Sequence, residues 1–182
     1  MGKKENCELC GSVQTEFQTL DGKYICKTCL KKAGFPPGKN VGYIPFSMIK
    51  KSDERMRIFS ETDHVGNMLS IDTVHHLWRS PVNQDGCHDF NEIGEWKIIE
   101  NTEVSKGGSS RLIGVFPGKG SEICNRLQLQ ITLHGEKEMF EYLNFVVATI
   151  NKNSKLYKDA YGLMQQCINE LEEMKKVAAD LQ

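Results

Sequence analysis

Four of the chain's seven cysteines stand in the pattern C-x2-C-x15-C-x2-C: Cys7 and Cys10, then Cys26 and Cys29. A C-x2-C stretch folds into a tight knuckle whose two thiolates face one point. Two knuckles therefore supply the tetrahedral sulfur shell that zinc takes in closed structural sites. Gly11 follows the first knuckle directly and permits the backbone turn that aims both sulfurs inward. Four thiolates fill the shell and leave no position for water, so the expected cofactor is one structural Zn2+. A redox C-x-x-C needs a single pair beside a βαβ unit, and two pairs about a hairpin do not offer that. A module of about 35 residues buries too little apolar surface to fold alone, so the metal is expected to supply its stability.

Other residue groups invite chemistry more weakly. His75-His76 and Cys87-His88, helped by Asp85 and Asp89, would be the material for a second metal site. Adjacent histidines on a strand point to opposite faces, so at most one of His75 and His76 could join. The spacing matches no familiar zinc pattern. As nucleophile and base, Cys87 and His88 are sequence neighbours, whereas a dyad's members must meet in space. Surface histidines and a buried thiol are the plainer reading. Cys124 and Cys167 lie on apolar patterns and read as small core residues. The stretch SKGGSSRLIGVFPGKGSE, with Lys106, Arg111 and Lys119, could cradle an anion on backbone N–H groups or simply join two strands. It lacks the GxxxxGK[ST] of a phosphate-binding loop. Trp78 and Trp96 sit within apolar strands and read as core anchors.

Charge is unevenly spread. Residues 1–57 hold 11 Lys/Arg against 6 Asp/Glu, and residues 58–182 hold 12 against 18. Any polyanion contact is therefore expected at the head, through Lys23, Lys27, Lys31, Lys32 and Lys39. The acidic body argues against binding to anionic membranes. No run approaches the ~18 apolar residues of a membrane span. The lysines near Met1 lead into no apolar stretch, and Asn6 stands where a myristoylation signal has Ser or Thr, so neither signal is expected. The expected compartment is the cytoplasm, where thiols stay reduced.

The elements that must carry the cysteines follow from local patterns. VQTEFQTL has strand character, Asp21-Gly22 is a strong hairpin signal, and the return strand brings Cys26 beside the first knuckle. Leu30 to Ala33 suit a short helix stopped by Gly34. Knuckle, hairpin and helix make a treble-clef-like module over residues 1–35. Residues 36–57 mix Pro, Gly and Lys and read as a linker, with a short helix near 46–51; Tyr43, Ile44, Phe46 and Met48 favour its packing onto a neighbour. From 58 to 182 strand-like runs dominate: 57–60, 67–72, 75–79, 90–93, 95–100, 126–133 and 139–145. Ser154 or Asn153 then caps a helix over about 154–180 with an apolar stripe through Leu156, Ala160, Leu163, Cys167, Leu171 and Met174, widened by Tyr157, Met164, Ile168 and Ala178. The fold class is α+β, with a β-rich barrel or curved sheet closed by the terminal helix.

CELCG, DGKYICKTCLKK and the Pro-containing tail resemble a short four-cysteine domain of unknown function. It is found at the N-terminus of small proteins of Gram-positive bacteria and their phages. The likeness extends to EICNRLQLQITL and to SKLYKDAYGLMQQ, which resemble a strand and the terminal helix of a bacterial pleckstrin-homology-like body. KGGSSRLIGVFPGKG departs from that pattern, since relatives carry a longer hydrophobic Gly-rich stretch there. The resemblance implies an architecture and brings no activity with it.

The expected function is non-catalytic: a zinc-containing adaptor or regulatory protein that binds a protein partner. The alternative is nucleic-acid binding through the basic module. An enzyme built on the Cys87/His88 patch is the third reading and the least supported.

Overall fold

Asp21-Gly22 turns the chain as its composition demands. Gly22 takes φ +77°, the Thr19 amide bonds the Lys23 carbonyl at 2.9 Å, and strands β1 (Phe17–Gln18) and β2 (Tyr24–Ile25) pair antiparallel. The computed structural model describes residues 5–13, 15–38, 41–106, 118–135 and 138–181. They form two compact units, 1–89 and 90–182.

In the first unit β2 leads into α1 (Lys27–Lys32), whose N-cap is Cys26. Gly34, at φ +81°, ends it in the left-handed conformation that glycine adopts without penalty. A 3-10 turn (Val41–Tyr43) and α2 (Phe46–Met56) follow. Pro45 presets the entry to α2 but has no side chain to cap it. The missing acceptor comes from the hairpin tip, where Asp21 Oδ1 receives the Phe46 amide at 2.9 Å. Leu20 N–H also donates to the Ile44 carbonyl at 3.0 Å. Val41 and Ile49 then join Ile25, Leu30, Phe35 and three of the cysteines in one buried cluster. Residues 36–57 are thus folded against the cysteine module. The helix runs to Met56 instead of 51, and the Ile58 and Phe59 amides still bond back to the Arg55 carbonyl. That continuation removes the strand expected at 57–60.

Strands β3 (Asp63–Val65), β4 (Leu69–Asp72), β5 (Leu77–Arg79) and β6 (His88–Asp89) make an antiparallel meander around the fully buried Trp78. Ser52 of α2 ties the parts of this unit together. It is 2% exposed, donates to the Ala33 carbonyl at 2.6 Å and accepts from the Cys87 amide at 2.7 Å. Beside it the Gly86 amide bonds the Gly34 carbonyl at 3.2 Å. Gly86 has φ +101°, and a Cβ there would stand 2.7 Å from the Phe35 ring and 2.9 Å from Ser52 Oγ. Only glycine allows that approach.

The second unit is a sheet of β7 (Ile93–Val104), β8 (Glu122–Leu133), β9 (Met139–Val146) and β10 (Ile150–Asn151), with β8 paired to the other three. Leu127, Leu129, Ile131 and Leu133 are buried, as the strict alternation of that strand requires. A register shift interrupts the β7–β8 pairing between Ile93 and Trp96. Gly94 sits in it with the His134 ring 2.7 Å from where a Cβ would be. Ser154 caps α3 (Lys155–Asp180), its hydroxyl receiving the Tyr157 amide at 3.2 Å. Met164, Cys167, Ile168, Leu171, Met174 and Ala178 form the buried stripe. Leu156, expected in that stripe, is 54% exposed, while Tyr157, expected at its margin, is buried. The Tyr157 hydroxyl donates to Glu100 Oε1 at 2.7 Å. Near the other end, Lys175 Nζ donates to the Gly94 carbonyl at 2.7 Å and lies 5.3 Å from the Trp96 ring centroid.

The chain is mixed α+β with three helices and three sheets among the described residues. The barrel alternative is not what forms. Each sheet is open, because closure needs a continuous staggered ladder and each ends in strands paired on one side only. The change of composition at 57/58 does not coincide with the boundary between compact units at 89/90. Ser52→Ala should lower the stability of the first unit by about 2 kcal/mol, since it strands a buried amide and a buried carbonyl. Urea unfolding of the variant against the parent checks this.

Candidate metal centre

Gly11, at φ +73°, lets the chain curl so that its amide reaches the Cys7 carbonyl at 2.7 Å and the Cys7 amide reaches the Ser12 carbonyl at 2.8 Å. The Glu8 amide bonds the Tyr24 carbonyl at 2.9 Å, which fixes this knuckle beside β2. The second knuckle closes through the start of α1, where the Cys29 amide donates to Cys26 Sγ at 3.4 Å. The Cys26 amide donates to Cys7 Sγ at 3.3 Å. All four sulfurs lie within 4.8 Å of one another, and Cys10 and Cys26 Sγ are 3.7 Å apart. A tetrahedral shell with metal–sulfur bonds of about 2.3 Å places its sulfurs about 3.8 Å apart. The pair is far beyond the ~2.05 Å of a disulfide, and all seven cysteines are free. The four side chains suit one metal ion. Cys7, Cys26 and Cys29 are buried and Cys10 faces solvent.

The thiols divide by environment. Burial works to raise Cys7, but the amides of Cys26, Cys10 and Leu9 outweigh it and hold the group at about 7. Burial first, then the adjacent sulfurs, push Cys29 up. At Cys10 the Ser12 amide favours the thiolate, yet the Cys7 and Cys26 sulfurs and desolvation leave it raised. One thiolate forms readily and the next resist, because like charges crowd one point. A dication removes that conflict and displaces the protons.

The other candidate residues are placed differently. His75 and His76 belong to the β4–β5 turn, with His76 at φ +56°. His75 Nδ1 lies 2.7 Å from Asp72 Oδ2. Asp72 is fully buried and also accepts from the amides of Ser60 at 2.7 Å and of Val74 and His75 at 3.0 Å each. Burial opposes ionisation of Asp72, but these donors together hold its carboxyl at about 2. Cys87 and His88 are both buried, and the His88 ring packs on Trp78 at 4.9 Å between centroids. Among the described residues no second group of three or more His, Cys, Asp or Glu side chains converges as the cysteines do.

Lys27, Lys31 and Lys32 are exposed on α1, and Lys27 and Lys31 share a face. Lys23 is 3.5 Å from Glu8, which offsets its charge. Lys106 and Lys119 are exposed at the two edges of the Gly-rich stretch. Lys39, Arg111 and the rest of that stretch from 107 to 117 lie outside the described residues. Sequence reasoning passed over Asp72, although an Asp closing an apolar run before a turn is a known signal. It also passed over Ser52, for which no local pattern exists. No helix among the described residues is long and apolar enough to cross a membrane. No protein-family model matches the chain, and no curated protein or solved structure matches it.

Purified under reducing conditions, the chain should carry one divalent metal ion per molecule. Acidification should release it, as protons compete with the metal for the four thiolates. Cys10→Ser, at the exposed ligand, should lower the bound fraction; elemental analysis over a falling pH series reads both. Asp72 supplies a separate pH dependence. Its folded value of about 2 lies below the ~3.9 of an unfolded chain. Its stabilising effect is complete above about pH 4 and is lost as pH falls toward 2. Asp72→Asn should therefore be less stable at neutral pH and lose that part of the acid transition in thermal melts.

Proposed function

We propose that the chain is a non-catalytic zinc protein whose task is to hold a protein partner. What supports this most is the completeness of the sulfur set: four thiolates converge within 4.8 Å, so a zinc ion there has no position open for substrate or water. Zinc, rather than a harder cation, is the metal that such a soft tetrahedral set selects. The ion acts structurally, and the module reads as treble-clef-like: a knuckle, a hairpin and a helix bearing the last ligand. Two antiparallel sheets followed by a long amphipathic helix support a pleckstrin-homology-like reading of the rest. Free thiols throughout suit the cytoplasm.

The second unit offers a surface for the partner. Phe140 is 46% and Tyr142 37% exposed on β9, alternating with buried Glu141 and Leu143. Their rings lie 6.4 Å apart. Exposed aromatic pairs of this kind are the anchors that protein interfaces favour. The nucleic-acid alternative draws on the exposed lysines of α1, where only a short stretch of one sign is presented.

Affinity capture from the native cell with nuclease treatment, followed by mass spectrometry, tests the choice. A protein retained by the parent and lost from Phe140→Ser and Tyr142→Ser variants is the expected result. Retention on DNA or RNA at low salt, falling steeply as salt rises, would replace this reading with the alternative.

A further inference from the structure

The first unit contains a cleft of about 470 Å3 that takes no part in the chemistry above, and no cysteine lines it. Its walls come from the end of α1 with the turn after it, the end of α2, and β5 with the loop that follows. Phe35, Pro37, Met56 and Pro81 make it apolar, while Lys31 and Arg79 bring positive charge; no Asp or Glu lines it. Asp85 stands in sequence between two lining residues but is not one of them. Among the described residues neither Lys31 nor Arg79 forms an ion pair.

Arg79 is held in a drier setting than bulk water. Its guanidinium carbon is 5.3 Å from the Phe59 ring centroid, and its Nε is buried without a hydrogen-bond partner. A charge so placed attracts an anion more strongly than one free in solvent. Two cations with no ion-pair partner beside apolar walls draw incoming anions. The volume falls within the roughly 300–1,000 Å3 of small-molecule sites, and apolar walls with few polar groups are their usual make-up. The walls are also fixed in advance. The Gly86–Gly34 backbone bond at 3.2 Å and the two Ser52 bonds at 2.6 and 2.7 Å join the contributing segments.

We propose that this cleft binds a small organic anion: a carboxylate or phosphate carried on an aromatic or branched aliphatic group. Arg79 and Lys31 hold the charged end, with the planar fork of Arg79 suited to two oxygens at once. Phe35, Met56 and the two prolines hold the apolar body. The assignment is independent of any protein partner.

The test is an amide-shift titration of the 15N-labelled, metal-loaded full chain. Phenyl phosphate and phenylacetate are the probes, with inorganic phosphate and benzyl alcohol as separated halves. Saturable shifts at Lys31, Gly34, Ser80 and Gly86 with either aromatic anion, and weaker binding of both halves, are expected. Arg79→Gln should weaken the anions by about tenfold or more, as loss of a charged hydrogen bond does. Lys31→Gln, at an exposed position, should weaken them with metal content and fold unchanged; it decides the matter if Arg79→Gln does not fold. Absence of saturable shifts with both anions overturns the proposal. So does binding of benzyl alcohol or inorganic phosphate as tight as theirs, or undiminished affinity in Lys31→Gln.

Discussion

Four sulfurs within 4.8 Å of one another cannot all be ionised unless a cation stands between them, and the first fifty residues are arranged as though one does. Cys7, Cys26 and Cys29 sit in the same buried cluster as Ile25, Leu30, Val41 and Ile49. Core and coordination shell are therefore one object. Two short strands, a six-residue helix and a turn have too few apolar contacts to order themselves; a shared ion at their centre fixes all of them at once. What packs on them in turn, α2 and through Ser52 the 80s loop, inherits its position from that point.

The amide-to-sulfur bonds show how the backbone shares this task. The Cys26 and Cys29 amides aim at sulfur, which satisfies donors near the start of α1 while favouring the thiolate form. The same geometry that caps a helix thus prepares a ligand set. In the second unit a comparable economy holds α3: its first turn is fixed by Ser154 and by Tyr157 on Glu100, and its last turns by Lys175 on Gly94 and Trp96.

The cysteine ligands, the hairpin at Asp21-Gly22, the long strand through Leu127 to Leu133 and the terminal helix were legible in sequence because each rests on a local signal: fixed spacing, a turn dipeptide, strict alternation, or a cap with a 3.6-residue stripe. The unread features rest on contacts distant in the chain. Ser52 looks like any serine on a polar helix, and only its bonds to Ala33 and Cys87 reveal a joint. Arg79 and Met56 meet in one cleft although no motif links them. The barrel reading failed for a related reason: strand patterns report which face is buried, not whether the last strand finds the first. The strand-like run at 75–79 begins only at Leu77, because histidine carries little conformational signal and Asp72 draws His75 into the preceding turn.

The bond from Asp21 to the Phe46 amide gives the hairpin a further property. Loop tips on small modules ordinarily accept insertions, tags or altered lengths with little penalty. Here the tip doubles as the terminus of a helix that begins twenty-five positions later, so lengthening the turn would withdraw the acceptor from α2. Segments between 19 and 23 are closed to grafting, and natural variation in loop length should be sought elsewhere on this chain.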